Sequence, residues 1–156
     1  MATDLSALDG KTKASTASET AAGLTSFGTN TTVPSGGSGT AVPFTSSTAA
    51  TWWSAGAPTR LTCPSGENGV YVIRANLRWQ GALTGIRRAK ITVDGADFEA
   101  VQFAGNASDE GILVVSRPLN INVAQYVQLV AYQDSGTDKV VLGASDWTSL
   151  ALWRVG

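Results

Sequence analysis

The 156-residue sequence has no histidine and a single cysteine, Cys63. Without histidine, a serine or cysteine nucleophile lacks its usual base, and a lone thiol can form neither an intrachain disulfide nor a thiolate metal cluster. Charge is sparse too. Eleven basic and twelve acidic residues make 15 % of the chain, below the usual share of about a quarter, and leave a net charge of −1. No like-charge run exceeds Arg87-Arg88 or Asp109-Glu110, so no basic footprint for nucleic acid exists. No segment approaches the roughly eighteen apolar residues of a membrane helix. The first ten residues, Met1 to Gly10, have neither the basic start nor the apolar core of an export signal. The expectation is synthesis in the cytoplasm, with neither nucleic acid nor membrane as partner.

Enzyme templates find no anchor: Gly-x-Ser-x-Gly and the phosphate-binding loop are both missing. Asp94, Asp97, Glu99, Asp109 and Glu110 could supply a carboxylate pair or a calcium ligand, but they sit beside expected turns, where acids are common. No Asp-x-Asp-x-Asp-Gly loop accompanies them. The chain is read as a non-enzyme with no cofactor and no metal. Asn30-Thr-Thr32 and Asn106-Ala-Ser108 fit the glycosylation pattern, which carries no weight without export. Cys63, flanked by Leu61, Thr62 and Pro64, reads as a small apolar residue at a strand end.

What is present divides the chain in two. Residues 1–40 are Ala-, Ser-, Thr- and Gly-rich, with isolated large apolar residues at Leu5, Leu8, Leu24, Phe27 and Val33. Such an arm cannot bury enough to fold alone. Asp4 could cap a short turn ending at Gly10, and Ala14 to Ala22 suits a weak helix or an extended arm. The arm is either a disordered tail or a segment that orders against a partner. Pro34-Ser-Gly-Gly-Ser-Gly39 reads as a flexible joint.

Residues 41–156 follow period two, with turn residues between the runs. Strands are expected at about 41–45, 59–63, 69–80, 87–93, 98–103, 111–119, 125–133, 139–143 and 147–155. Asp94-Gly95 is the strongest hairpin signal. The final strand, carrying Trp147, Leu150, Leu152 and Trp153, must be paired and covered, so the chain closes its own core. No helix of useful length interrupts the series, which excludes parallel βαβ units and leaves an all-β, two-sheet antiparallel sandwich. In the 69–80 strand Tyr71, Ile73, Ala75, Leu77 and Trp79 share one face, and Val70, Val72, Arg74, Asn76 and Arg78 the other. In the 125–133 strand Val127, Leu129 and Ala131 oppose Tyr126, Gln128, Val130 and Tyr132. Apolar residues on both faces imply that something covers one of them, most simply another subunit. Arg87-Arg88 reads as a solvated pair near an edge, with an acidic partner as the alternative. Trp52-Trp53 is expected to pack on the sandwich.

Residues from about Val42 to Gly156 resemble the C1q/TNF-like jelly roll, particularly versions in bacteriophage virion proteins. The resemblance is carried by Val42-Pro-Phe44, by Leu61-Thr-Cys-Pro64, and by the 69–79 run Gly-Val-Tyr-Val-Ile-Arg-Ala-Asn-Leu-Arg-Trp. Gly85-Ile-Arg-Arg88 leading to Asp94-Gly95, the 124–136 segment and the terminal 149–156 segment complete the ordered set. One departure is plain: the family's usual Gly-Asp before the penultimate long strand is Val123-Ala124 here. The resemblance implies a homotrimer about a three-fold axis, with Tyr71, Trp79, Tyr132 and Trp153 as interface candidates. It implies a virion-surface protein, a capsid decoration protein or short head fibre, attached to the major capsid protein or another virion protein by the arm. Leu5, Leu8, Leu24 and Phe27 would be its anchors. The alternative is the receptor-binding tip of a tail fibre, recognising a host surface glycan. Against that stands a start at methionine with no coiled-coil or collagen stalk.

Overall fold

The computed structural model of the chain describes residues 25–26, 30–47, 51–81, 84–104, 111–143 and 147–155. Every regular element among them is a β-strand. Five short strands come first: β1 (Thr25–Ser26), β2 (Thr31–Val33), β3 (Thr40–Ala41), β4 (Ser46–Ser47) and β5 (Leu61–Thr62). The long β6 (Gly69–Arg78), β7 (Ile86–Val93) and β8 (Ala96–Ala104) follow. The remaining strands are β9 (Gly111–Val115), β10 (Leu119–Ile121), β11 (Tyr126–Gln133), β12 (Lys139–Val141) and β13 (Ser149–Arg154).

The pairing is antiparallel throughout and makes two large sheets. One runs β10-β6-β13-β1-β4, with β9 continuing the line of β10 along the same side of β6. The other runs β3-β11-β7-β8, with β5 also on β11. A ribbon of β12 and β2 is joined to the first sheet by a bridge between Trp79 and Val141. Strand alternation fills the interior. Tyr71, Ile73, Ala75 and Leu77 of β6 and Trp79 just past its end are buried, together with Val127, Leu129 and Ala131 of β11 and Leu150 and Leu152 of β13. The terminal β13 pairs with β6 over six residues, Ser149 opposite Asn76 through Arg154 opposite Tyr71. The chain does close its own core.

Asp94 and Gly95, at φ 50° and 81°, form the hairpin turn between β7 and β8. Positive φ at both central residues matches the right-handed twist of the flanking strands. The Asp94 carboxylate also accepts from the Tyr126 N–H at 2.9 Å and from Gln125 Nε2 at 2.8 Å, fastening the turn to β11. The expected strand at 111–119 is broken into β9 and β10. Ser116 explains the break: its hydroxyl accepts from the Ile73 N–H at 2.9 Å, taking over a ladder bond, and Pro118 has no N–H to continue the pairing.

Two expectations are corrected. The Pro34–Gly39 joint is part of the body. The Gly36 N–H donates to Gln133 O at 2.8 Å, Gln133 Nε2 donates to Val33 O at 2.9 Å, and the Ser35 hydroxyl accepts from the Gly136 N–H at 2.8 Å. Gly39 is held at φ 103° with its Cα so close to β11 that a Cβ would meet Val130 Cγ1 at 2.7 Å. With Val33 fully buried, the body starts well before residue 41. Arg87, read as solvated, is wholly buried. β7 is an interior strand flanked by β11 and β8, and odd-numbered residues there face inward, which puts Arg87 inside and Arg88 outside.

Ala124 occupies the left-handed region at φ 68° in the turn before β11, the position of the Val123-Ala124 departure. A Cβ in that region costs roughly 1–2 kcal/mol, whereas glycine there is unstrained but gains roughly 0.5–1 kcal/mol of unfolded-state freedom. Ala124→Gly is therefore expected to raise stability by about 0.5–1 kcal/mol in urea unfolding. Equal or lower stability would remove strain from the account.

Candidate assembly face

The four aromatic interface candidates go to three different places. Tyr71 and Trp79 belong to the core of the single chain, 2 % and 0 % exposed, which corrects their assignment to an interface. Tyr71 lies edge-to-face on Trp52, with ring centres 5.2 Å apart, and its hydroxyl donates to Glu67 O at 2.5 Å. Burial pushes its phenol pKa up, with Arg154 opposing. The Glu67 carboxylate accepts from the Trp52 indole N–H and from the Thr51 hydroxyl, closing that end of the sandwich as the Trp52-Trp53 expectation required. Cys63 is buried beside this group, and burial raises its thiol pKa.

Tyr132 is half-buried on the outer face of the second sheet, with Arg88 stacked 5.3 Å from its ring centre. Tyr126 on the same face carries Arg60 at 4.2 Å. Trp153 is half-buried on the outer face of the first sheet, because Leu150 and Leu152 take the inward positions of β13. The anchors Leu5, Leu8, Leu24 and Phe27 lie outside the described residues, as does the turn from Asp4 to Gly10.

The outer face around Trp153 can be read off the register. Trp153 stands beside Val72, Ala151 beside Arg74, and Ser149 beside Asn76. On the other side of β6, Val115 stands beside Arg74 and Leu113 beside Asn76. The Val155 N–H bonds to Val70 O at 2.8 Å, extending the pairing one residue pair further. One end of the face is therefore mainly apolar, made by Val70, Val72, Trp153 and Val155, with Val115 at its margin and the exposed Asn120 beside Val70. Val115 and Val155 are each 55 % exposed and Leu113 is 49 % exposed. The opposite end is polar and cationic, with Arg74, Asn76 and Arg78 in line along β6. The sequence identified the second face of β6 as partly apolar. It missed Leu113 and Val115, whose place beside β6 depends on a pairing register that periodicity does not reveal.

Three of the acidic candidates have structural partners. Asp97 pairs with Lys90 at 2.8 Å, Glu99 with Arg117 at 3.4 Å, and Asp94 fastens its turn. Asp109 and Glu110 lie outside the described residues. Among the described residues, no group of three or more Cys, Asp or Glu side chains gathers to hold a metal.

No protein-family model matches the chain, and no curated protein matches it in sequence. Solved structures do match in shape. The structure of murine APRIL at pH 8.5 superposes with a TM-score of 0.62 at 6 % identity, covering 85 % of this chain and 98 % of that one. The murine APRIL structures at pH 5.0 and pH 8.0 give 0.59 and 0.60, at 6 % and 5 % identity, with the same coverage. The fold is a TNF-like jelly roll. At such identities the likeness is one of architecture, and it agrees with the fold that the family resemblance implied.

Proposed function

We propose that the chain is a homotrimeric virion structural protein on the surface of a bacteriophage particle, a capsid decoration protein or short head fibre held to the shell by its N-terminal arm. The observation that carries the assembly part is the apolar end of the outer face, where Val70, Val72, Trp153 and Val155 stand together on a sheet that no second layer covers among the described residues. Such a patch on a soluble sandwich is favourably covered by another copy of the chain. The fold supports this choice, because the resemblance that implied a TNF-like body also implied a trimer built on one sheet. The virion role rests on that resemblance to phage proteins. A body closed without disulfides, its one thiol buried, suits folding in a reducing cytoplasm.

β1 joins the first sheet directly beside β13, with Thr25 opposite Leu150. The arm therefore enters the body one strand away from Trp153, and a trimer built on this face carries its three arms close together. Three weak contacts to one shell then act as a multivalent attachment, with effective concentrations that raise avidity by about 10²–10⁴. Because β2 and the Gly/Ser segment belong to the body, the arm to remove is residues 1–24. The shortened chain is expected to fold and trimerise yet fail to bind capsids lacking the protein in a co-sedimentation assay. Attachment at the full-length level would contradict the role of the arm.

A further inference from the structure

The cationic end of the same outer face holds a depression of about 340 Å³, lined by Arg74, Asn76, Arg78, Gly111, Leu113 and Trp147. That volume is at the small end of the roughly 300–1,000 Å³ typical of ligand sites. Its chemistry is unusual for a merely solvated strand surface. Trp147 is 41 % exposed, and the Arg78 guanidinium stacks 4.4 Å from its ring centre, which fixes both groups in place. Arg74 is exposed on the same face of β6, four residues from Arg78. Asn76 donates to Ser149 Oγ at 3.3 Å, which orients its amide beside the depression. Gly111 borders it with open space: a Cβ there would meet nothing within 4 Å. No acidic side chain among the described residues lines it.

From this combination we infer that the depression is a binding site for an acidic saccharide, one carboxylate-bearing sugar ring at the end of a glycan. Arg74 receives the carboxylate in the paired, charge-assisted geometry that a guanidinium offers. The exposed part of the Trp147 indole supplies a flat apolar surface for the C–H face of the ring, and the Asn76 amide, held by Ser149 behind it, meets its hydroxyls. Leu113 forms the apolar border opposite. A bare inorganic anion would use the arginine alone and leave the indole idle. The site goes beyond the attachment reading, since it needs neither the arm nor the trimer.

The test is titration of the full chain by calorimetry and saturation-transfer NMR with glucuronic acid and N-acetylneuraminic acid, against glucose, acetate and inorganic phosphate. At least one acidic sugar is expected to bind saturably, with Kd on the order of a millimolar for a ligand of this size. Glucose and acetate should bind at least about tenfold more weakly, since each lacks one half of the recognition. Arg74→Ala, Trp147→Ala and the blocking variant Gly111→Phe should each weaken binding at least about tenfold, with melting temperature and particle mass unchanged. Trp153→Glu should leave binding intact, so a failed trimer and a failed sugar site give different results. Four outcomes would each overturn the inference: neither acidic sugar binds, glucose binds as well as they do, acetate or phosphate matches them, or the folded Gly111→Phe and Arg74→Ala chains bind like the native one.

Discussion

Trp79→Ala is expected to cost about 3–5 kcal/mol of folding stability, the range for truncating a large buried aromatic side chain. Against a total of about 5–15 kcal/mol this is enough to bring the domain near unfolding. At about 2–4 °C per kcal/mol for a chain of this size, the melting temperature should fall by roughly 6–20 °C. The magnitude follows from position. Trp79 continues the inward row just past the end of β6, is wholly buried, bridges to Val141 and so ties the β12–β2 ribbon to the first sheet. It also lies 5.3 Å beneath the buried Arg87 guanidinium. Truncation opens a cavity and takes the aromatic cover off a buried charge. Trp79→Phe keeps a ring under Arg87 and removes an indole N–H that has no acceptor among the described residues, so it should lose much less. Thermal unfolding of the two variants side by side checks this, and a loss under about 1 kcal/mol for the alanine variant would mean the ribbon is held some other way.

Trp153→Glu should convert the trimer into folded monomers. A tryptophan buries about 150–250 Å² when fully covered; if half of that is covered only in the assembly, each side chain contributes roughly 2–3 kcal/mol at 25 cal/mol/Å². Three copies lose roughly 6–9 kcal/mol, or about four to six powers of ten in the trimer's association constant. A carboxylate placed against Val72 and Val155 adds its own desolvation penalty. The monomer itself should keep its stability, because Trp153 lies on the outer face while Leu150 and Leu152 carry the inward contacts of β13. Size-exclusion chromatography with light scattering, paired with thermal unfolding, separates loss of assembly from loss of fold. A variant that remains trimeric would place the subunit contacts elsewhere.

The parts of this fold that could be read from sequence are those governed by period and turn chemistry. The β6, β7, β11 and β13 strands were legible because eight or so alternating residues establish a period, and Asp94-Gly95 because few residues accept positive φ twice running. β1, β2 and β4, at two or three residues each, are too short to show any period. Alternation says which residues share a face without saying which face turns inward. Both faces of β6 carry apolar residues, so Tyr71 and Trp79 looked as available to a partner as Val70 and Val72. The location of the second sheet decides the matter. β13 shows the same limit: Trp153 outweighs its leucines in size, yet Leu150 and Leu152 fill the core. The saccharide site was out of reach for a further reason. Arg74, Leu113 and Trp147 come from three segments, and only the register of β9 and β13 against β6 assembles them.

The central claim is that three copies of this chain meet through the apolar end of the β6–β13 face. Sedimentation equilibrium of the purified full-length chain at micromolar concentration tests it most directly. The account predicts a single species of three times the chain mass, reduced to one chain mass by Trp153→Glu. A native chain that sediments as a monomer under the same conditions would contradict it.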